Sequence, residues 1–425
     1  MIRNIIKNKV VKNASWIIVG KIIQMILSLF IGLLTARYLG PSNYGLISYA
    51  AAYVSFFTCF CTLGINSVIV KELIDNPGEQ GMVIGTSLTL RLISTILSAI
   101  MILCIVLIVD AGETETILVV LFSSIGVIFH IMEVFNYWFQ AKLMSKVTAV
   151  ATLVGYIITA TYRLYLVIMG KNVVFFALAS SVDYICIGVL LLWAYKKKNG
   201  QRLKFSWDYG KFLLSKSHHF ILPALMVSIY GQTDKIMLKY LMGTAEIGYY
   251  ATAVNLCNMW TFVITAIIDS MYPIIVEAHK QSENEFNRKN KILYASIFYV
   301  CTIVSLIFTV FGEFIISILY GNAYLPAVAP LRIVTWYVAF SYLGVARNVW
   351  IVCQNRQKHM LKVYLSASIS NVILNCIFIP SFGAVGAAIA SLIAQVITVL
   401  ITPFFIPDLK ENSQMMIKAI MLKLK

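Results

Sequence analysis

The stretch "LISTILSAIMILCIVLIV", residues 92–109, runs 18 residues without a charge. A bilayer core takes about 20 mostly apolar residues as a helix. In lipid no water is available for an unpaired backbone group, so a spanning segment must satisfy its own N–H and C=O groups. Runs of this kind recur along the chain, and 60% of all residues are hydrophobic while 12% are charged. An ordinary soluble domain carries roughly 25% charged residues. These numbers exclude a soluble fold and predict an all-α integral membrane protein.

The apolar runs predict about twelve spans, near 14–36, 45–68, 83–109, 117–140, 147–169, 173–195, 212–240, 247–277, 292–319, 328–352, 359–379 and 384–406. They group as an N-terminal six-helix lobe over 1–195, a basic cytoplasmic linker over 196–211, a C-terminal six-helix lobe over 212–406 and a cytoplasmic tail over 407–425. No gap is long enough for a soluble domain. The basic N-terminus precedes an apolar run of about 23 residues with no small-x-small cleavage site before Arg37, so a retained span is expected rather than a signal peptide.

The net charge is +16. In a soluble chain that would point to nucleic acid. Here the cations sit in short loops, and with the N-terminus inside, 24 of the 34 Lys and Arg residues fall on the inner side and 4 near the outer ends. That asymmetry places both termini in the cytoplasm and removes nucleic acid as a partner. The 8 cysteines all lie in apolar runs without zinc-type spacing, so they read as small apolar packers rather than metal ligands.

A turn is written twice. "ARYLGPSNYGLISYA" at 36–50 and "KYLMGTAEIGYYATA" at 239–253 are offset by 203 residues. The offset pairs Gly40 with Gly243, Gly45 with Gly248, Ala50 with Ala253, Thr58 with Thr261, Thr62 with Thr265, Ile65 with Ile268 and Ser67 with Ser270. Span 1 then matches span 7. Six spans is an even number, so both lobes face the same way, as in a parallel repeat with a pseudo-two-fold axis along the membrane normal.

The first of these turns resembles the opening signature of bacterial polysaccharide flippases of the O-antigen type, within the superfamily that also holds multidrug-extrusion antiporters and the lipid II flippase. "YGQTDKIMLKYLMG" at 230–243, "LYGNAYLPAVAPLRI" at 319–333 and "SNVILNCIFIPSFGAVGAAIASLIAQ" at 370–395 resemble further stretches of that family in order and spacing. The resemblance implies movement of an undecaprenyl-diphosphate-linked oligosaccharide from the inner to the outer leaflet of the bacterial cytoplasmic membrane by alternating access. It implies membrane lipid and polysaccharide polymerase machinery as further partners. It implies a transporter, not an enzyme, with no cofactor beyond a coupling ion, Na+ or H+.

A diphosphate needs cations, and ionisable residues inside spans are costly. The basic residues inside spans are Lys21, Arg91, Arg163, Lys216, Arg332 and Arg347. Arg91 and Lys21 lie about 12 and 10 Å inside the cytoplasmic end by helix rise and are expected to contact phosphate from a cavity wall. The other four are nearer an interface, where long stems snorkel; of these, Arg163 and Lys216 join the diphosphate set. Asp183 is the expected partner if Arg91 forms an ion pair instead.

A second constellation combines Asp234 on span 7, Asn371 and Asn375 at i, i+4 on span 11, and Ser391 on span 12. Carboxylate, amide and hydroxyl oxygens are ligands for a hard cation. The lipid II flippase has a sodium site of this kind in these helices, which these positions resemble; Asn375 departs from it by lacking a carboxylate. The competing reading is a polar cluster joining helices. His130 and Glu133 share a face at i, i+3 and read as a packing hydrogen bond before a proton relay. The rivals to a flippase of lipid-linked oligosaccharide are a small-molecule antiporter, a lipid II flippase and an integral-membrane glycosyl polymerase or ligase. An antiporter for cationic drugs would favour an acidic cavity, and a polymerase needs a large outer loop.

Overall fold

The computed structural model describes residues 2–423, with side chains described throughout except at 2–15, 17–19, 21, 67 and 220. Among the described residues every regular element is a helix. The first half contains α1 (Ile2–Thr62), α2 (Asn66–Asp75), α3 (Gln80–Val109), α4 (Thr114–Phe129), α5 (Val134–Ala141), α6 (Ser145–Ile168) and α7 (Val173–Lys197). The second contains α8 (Trp207–Met242), α9 (Thr244–Asn258), α10 (Thr261–Gln281), α11 (Glu283–Tyr320), α12 (Val328–Cys353), α13 (Met360–Val396), α14 (Thr402–Phe404) and α15 (Pro407–Ile420).

Nine helices among the described residues are long and apolar enough to cross a membrane, ten if the bent α8 counts as one. Two of them are too long for a single crossing. Ile22–Thr62 runs 41 residues and Gln357–Phe404 runs 48, or about 60–70 Å at helix rise, twice the thickness of a bilayer core. Each is broken by a glycine with positive φ: Gly40 (φ 70°) beside Pro41 in α1, and Gly383 (φ 55°) after Pro380 in α13. Glycine enters that region without a Cβ penalty, and proline has no N–H to carry the helix ladder across the break. Dividing both helices there yields the twelve spans expected.

The helices turn apolar side chains outward. In α11, Ile303, Leu306, Val310, Phe314 and Ile318 are exposed, at spacings of three and four residues that mark one face. The face turned inward buries Ser305, Gly312 and Ile316. Lipid is as apolar as leucine, so no hydrophobic force drives these side chains inward, and close packing of small and polar groups holds the helices instead.

The chain folds as two compact units, Met1–Leu39 with Tyr49–Ser228, and Gly40–Ser48 with Ile229–Lys425. The division falls inside α1 and α8. Within the first unit an aromatic core gathers Trp138, Phe135, Phe139 and Tyr195 with Ile65 and Ile69, and the Trp138 indole donates to Gln80 Oε1 at 3.0 Å. Residues 201–206 are fixed to this unit. Gly81 N donates to Gln201 Oε1 at 2.8 Å, Gln201 Nε2 to the Pro77 carbonyl at 3.0 Å and Ser206 N to Thr86 Oγ1 at 3.2 Å.

The short piece Gly40–Ser48 belongs to the second unit because the two copies of the repeated turn meet there. A Cβ on Gly45 would overlap the Thr244 carbonyl, and one on Gly248 would overlap the Pro41 carbonyl. Positions 41 and 244, and 45 and 248, are equivalent under the 203-residue offset, so the contact is reciprocal. Ser42 and Thr244 hydroxyls add a hydrogen bond of 2.7 Å.

The segment 407–425, expected as a tail, holds α15. It buries Leu409, Asn412, Met416 and Ala419 on one face. Asn412 Nδ2 donates to the Tyr294 hydroxyl at 2.7 Å and the Tyr299 hydroxyl to the Ile420 carbonyl at 2.8 Å, fastening α15 to α11.

Candidate functional site

Asp234 lies on α8 about 12 Å before its end by helix rise. The break at Gly383 returns the second half of α13 alongside the first, which brings Ser391 against Asn371 and Asn375. All four expected residues meet. Asn375 Nδ2 donates to Asp234 Oδ1 at 2.5 Å and to Asn371 Oδ1 at 3.0 Å. Ser391 Oγ donates to Asp234 Oδ2 at 2.6 Å. Asn371 Nδ2 reaches Ser391 Oγ at 3.5 Å, the longest contact of the set. Asp234 and Ser391 are 4% and 3% exposed, and both asparagines are fully enclosed.

A fifth member comes from α9: the Tyr250 hydroxyl donates to Asp234 Oδ2 at 2.6 Å and lies 3.2 Å from Ser391 Oγ. The carboxylate thus receives three neutral donors, each such bond to a charged group being worth about 1.5–3 kcal/mol. One group is left over. Among the described residues Asn375 Oδ1 is enclosed without a donor, an uncommon state for a buried polar atom. An unpaired amide oxygen beside an oxygen-rich carboxylate cluster fits a hard monovalent cation, to which Asp234, Asn371, Asn375, Ser391 and Tyr250 would all offer oxygen.

The first unit builds a different cluster. Arg91 on α3 is 1% exposed. Its Nη2 donates to Asn66 Oδ1 on α2, its Nη1 lies 3.6 Å from Glu133 Oε2, and its guanidinium stands 5.5 Å from the centroid of the Tyr137 ring. Among the described residues Nε has no hydrogen-bond acceptor, and Nη1 meets Glu133 only as an ion pair. Glu133 is also 3.6 Å from His130 Nε2. Both acid and imidazole lie in the four-residue 3-10 turn His130–Glu133 that interrupts span 4. The ion-pair partner of Arg91 is therefore Glu133 and not Asp183. Asp183 instead accepts from Thr159 Oγ1 at 3.4 Å, with Arg163 as its cationic neighbour.

The remaining candidates are separate from these clusters. Lys216 Nζ pairs with Glu72 Oε1 at 3.0 Å and stands 4.1 Å over the Phe212 ring. Glu72 Oε2 accepts from the Tyr209 hydroxyl and from Asn76 Nδ2, both at 3.0 Å. The side chain of Lys21 lies outside the described residues. Arg332 Nε donates to the Thr309 carbonyl and buried Arg347 Nη1 to the Thr398 carbonyl, both at 3.0 Å.

Sequence reasoning missed Tyr250, Asn66 and Tyr137. A buried tyrosine usually finds a partner for its hydroxyl, and Tyr250 in "GYYATA" was such a signal, but nothing in the sequence says which partner.

The polysaccharide biosynthesis protein family matches residues 10–279, more than half of the chain. The capsular polysaccharide biosynthesis protein CapF of Staphylococcus aureus is 24% identical over 406 residues, covering 93% of this chain and 98% of that protein. Among solved structures, the lipid II flippase MurJ in an inward closed conformation superposes with a TM-score of 0.73 at 17% identity, over 96% of this chain and 92% of that one. An inward-facing multidrug resistance MATE family transporter of the MOP superfamily gives 0.70 at 14% identity, over 91% and 96%. The structural likeness shows a shared fold; the match over residues 10–279 makes this chain a member of the polysaccharide biosynthesis protein family.

Proposed function

We propose that the protein moves an undecaprenyl-diphosphate-linked oligosaccharide repeat unit from the cytoplasmic to the outer leaflet of a bacterial cytoplasmic membrane by alternating access. The observation that carries this reading is the family match, together with a relative whose name places it in capsular polysaccharide biosynthesis. Translocation breaks and forms no covalent bond. The cations proposed to meet the diphosphate are Lys21, Arg91, Arg163 and Lys216. Arg91 supports the role through its Nε, which has no acceptor among the described residues, beside an Nη1 that faces Glu133 at 3.6 Å. Its planar fork suits phosphate oxygens. An inside-negative potential assists export of negative charge by about 2.3 kcal/mol per elementary charge per 100 mV.

The Asp234 cluster is proposed to bind a coupling ion, Na+ or H+. The two ions make opposite demands: Na+ uses the ionised carboxylate and the free Asn375 Oδ1, whereas H+ would neutralise Asp234. The deciding experiment follows lipid-linked repeat units in cells lacking this protein. They should accumulate on the cytoplasmic leaflet, and re-expression should clear them. Arrival in the outer leaflet at the normal rate without the protein would end the flippase reading.

A further inference from the structure

The turn that folds α13 back on itself is held by a side chain outside the Asp234 cluster. Gly383 makes the break with φ 55° and ψ −130°, a region open to glycine and costly for a residue with a Cβ. Ala384 then starts the second half of α13 and donates its N–H to Glu246 Oε2 at 2.6 Å. A Cβ on Gly383 would press on that same oxygen, so the glycine both makes the break and lets the carboxylate in. The first N–H groups of a helix lack acceptors within it and carry the positive end of its dipole. An anion therefore holds such an end more firmly than a neutral acceptor does. Glu246 itself lies in the first turn of α9. The matching turn of the first unit, between α6 and α7, is tied by a neutral group, the Tyr38 hydroxyl donating to the Lys171 carbonyl at 2.9 Å. Such a turn needs no charge to be held, and the charged tie stands in the unit that builds the Asp234 cluster.

We propose that Glu246 is a positioning residue for the Asp234 cluster, which rests on the reading of that cluster as the coupling-ion site. Two rungs join α9 to the second half of α13. The first is Glu246 with Ala384. The second is the Tyr250 hydroxyl with Ser391 Oγ, 3.2 Å apart. Both members of the second rung also donate to Asp234 Oδ2 at 2.6 Å. Glu246 and Tyr250 are four residues apart and share a face of α9, and Ala384 and Ser391 are seven apart and share a face of their helix. The rungs are thus separated by about 6 Å along α9 and about 10 Å along α13. A helix is stiff over one or two turns, so the first rung sets the height at which Ser391 stands against Tyr250. The same height decides whether both hydroxyls reach one carboxylate oxygen. Glu246 acts on the ion through these two residues and does not touch it.

The experiment melts the full chain in detergent against increasing Na+ at constant ionic strength and reads the Na+ concentration that gives half of the protection. Glu246→Ala should raise that midpoint by about tenfold, the scale of one hydrogen bond to a charged group. Glu246→Gln keeps an oxygen that can accept from Ala384 and should raise it by about threefold or less. On a Ser391→Ala background, Glu246→Ala should add little, because both changes act through the same helix. Without Na+, hydrogen exchange over residues 385–395 should be faster in Glu246→Ala than in the wild type and unchanged over α6 of the first unit. A lower melting temperature with an unmoved midpoint would make Glu246 a stabilising contact only and overturn the proposal. Equal shifts in the Ala and Gln variants would make it a distant charge rather than a tie, and full additivity with Ser391→Ala would deny that it acts through α13. If Na+ fails to protect the wild type, the Na+ reading of the cluster falls by itself. The exchange measurement then decides the positioning claim, which faster exchange supports and unchanged exchange overturns.

Discussion

The two units solve the same problem, a charge buried among apolar helices, in different ways. The first sets a cation against an anion, with Arg91 Nη1 3.6 Å from Glu133 and Nε without an acceptor among the described residues. The second surrounds a carboxylate with the hydroxyls of Tyr250 and Ser391 and the amide of Asn375, all within 2.6 Å. A paired cluster loses most when one partner is removed, because the other remains charged and enclosed. A carboxylate held by neutral donors can lose its charge with little loss of shape. The first arrangement is thus the more fragile and the second the more easily tuned.

The largest effect is expected at Glu133. Glu133→Gln leaves the enclosed Arg91 without its anion and, since Glu133 is itself 35% exposed, should destabilise the first unit by about 1–3 kcal/mol. Folded yield and melting of the purified protein would report this. A double change, Arg91→Leu with Glu133→Leu, removes both charges and should recover most of the loss. If Glu133→Gln melts like the wild type, the contrast between the two clusters does not hold.

At Asp234 the expected change is in coupling rather than folding. Asp234→Asn keeps the shape and most of the hydrogen bonds, so folded yield should stay near wild type while ion dependence of transport disappears. Transport that keeps its dependence on Na+ or pH would take the coupling role away from this cluster. Asn375→Asp is the converse. It supplies a second carboxylate where the sequence has an amide, and cation affinity rises with ligand charge. Na+ should then protect the variant against heat more than the wild type, with roughly tenfold tighter apparent binding. No gain in protection would mean that Asn375 does not face the ion.

Much of this was legible in the sequence because lipid imposes simple rules. Uncharged runs of spanning length gave the helices, and the Gly40–Pro41 and Gly383 breaks explain why twelve spans appear as fewer helices. Asn371 and Asn375 could be paired because i, i+4 spacing is a property of one helix. What one helix does not contain was harder to read. That Arg91 meets Glu133 and not Asp183 depends on which faces of α3 and α4 meet, and on the 3-10 turn that re-aims residues 130–133. Tyr250 reaches Asp234 from a separate helix for the same reason. The helix over 407–420 was masked by its composition, since "PDLKENSQMMIKAI" is polar on average and only its spacing reveals a buried face.

The smallest effect is expected where charge meets water. At the start of α15, Asp408 accepts from His359 Nε2 at 2.7 Å and pairs with Arg356 at 2.9 Å and Lys358 at 3.5 Å. The His359 hydrogen bond, then the charges of Arg356 and Lys358, hold its carboxyl below the usual 3.8. A carboxylate depressed on folding adds stability above its unfolded value, and that stability is lost as the pH falls through the lower folded value. Asp408→Asn should therefore melt slightly below the wild type at neutral pH, with the gap closing as the pH falls below the ordinary carboxylate range. The gap should also shrink with added salt, because exposed ion pairs are screened, whereas the Glu133 effect should be less sensitive to salt, because its partner Arg91 is 1% exposed. If salt weakens both equally, the enclosure of Arg91 does not shield its pair, and the distinction between a half-buried pair and a solvated one disappears with it.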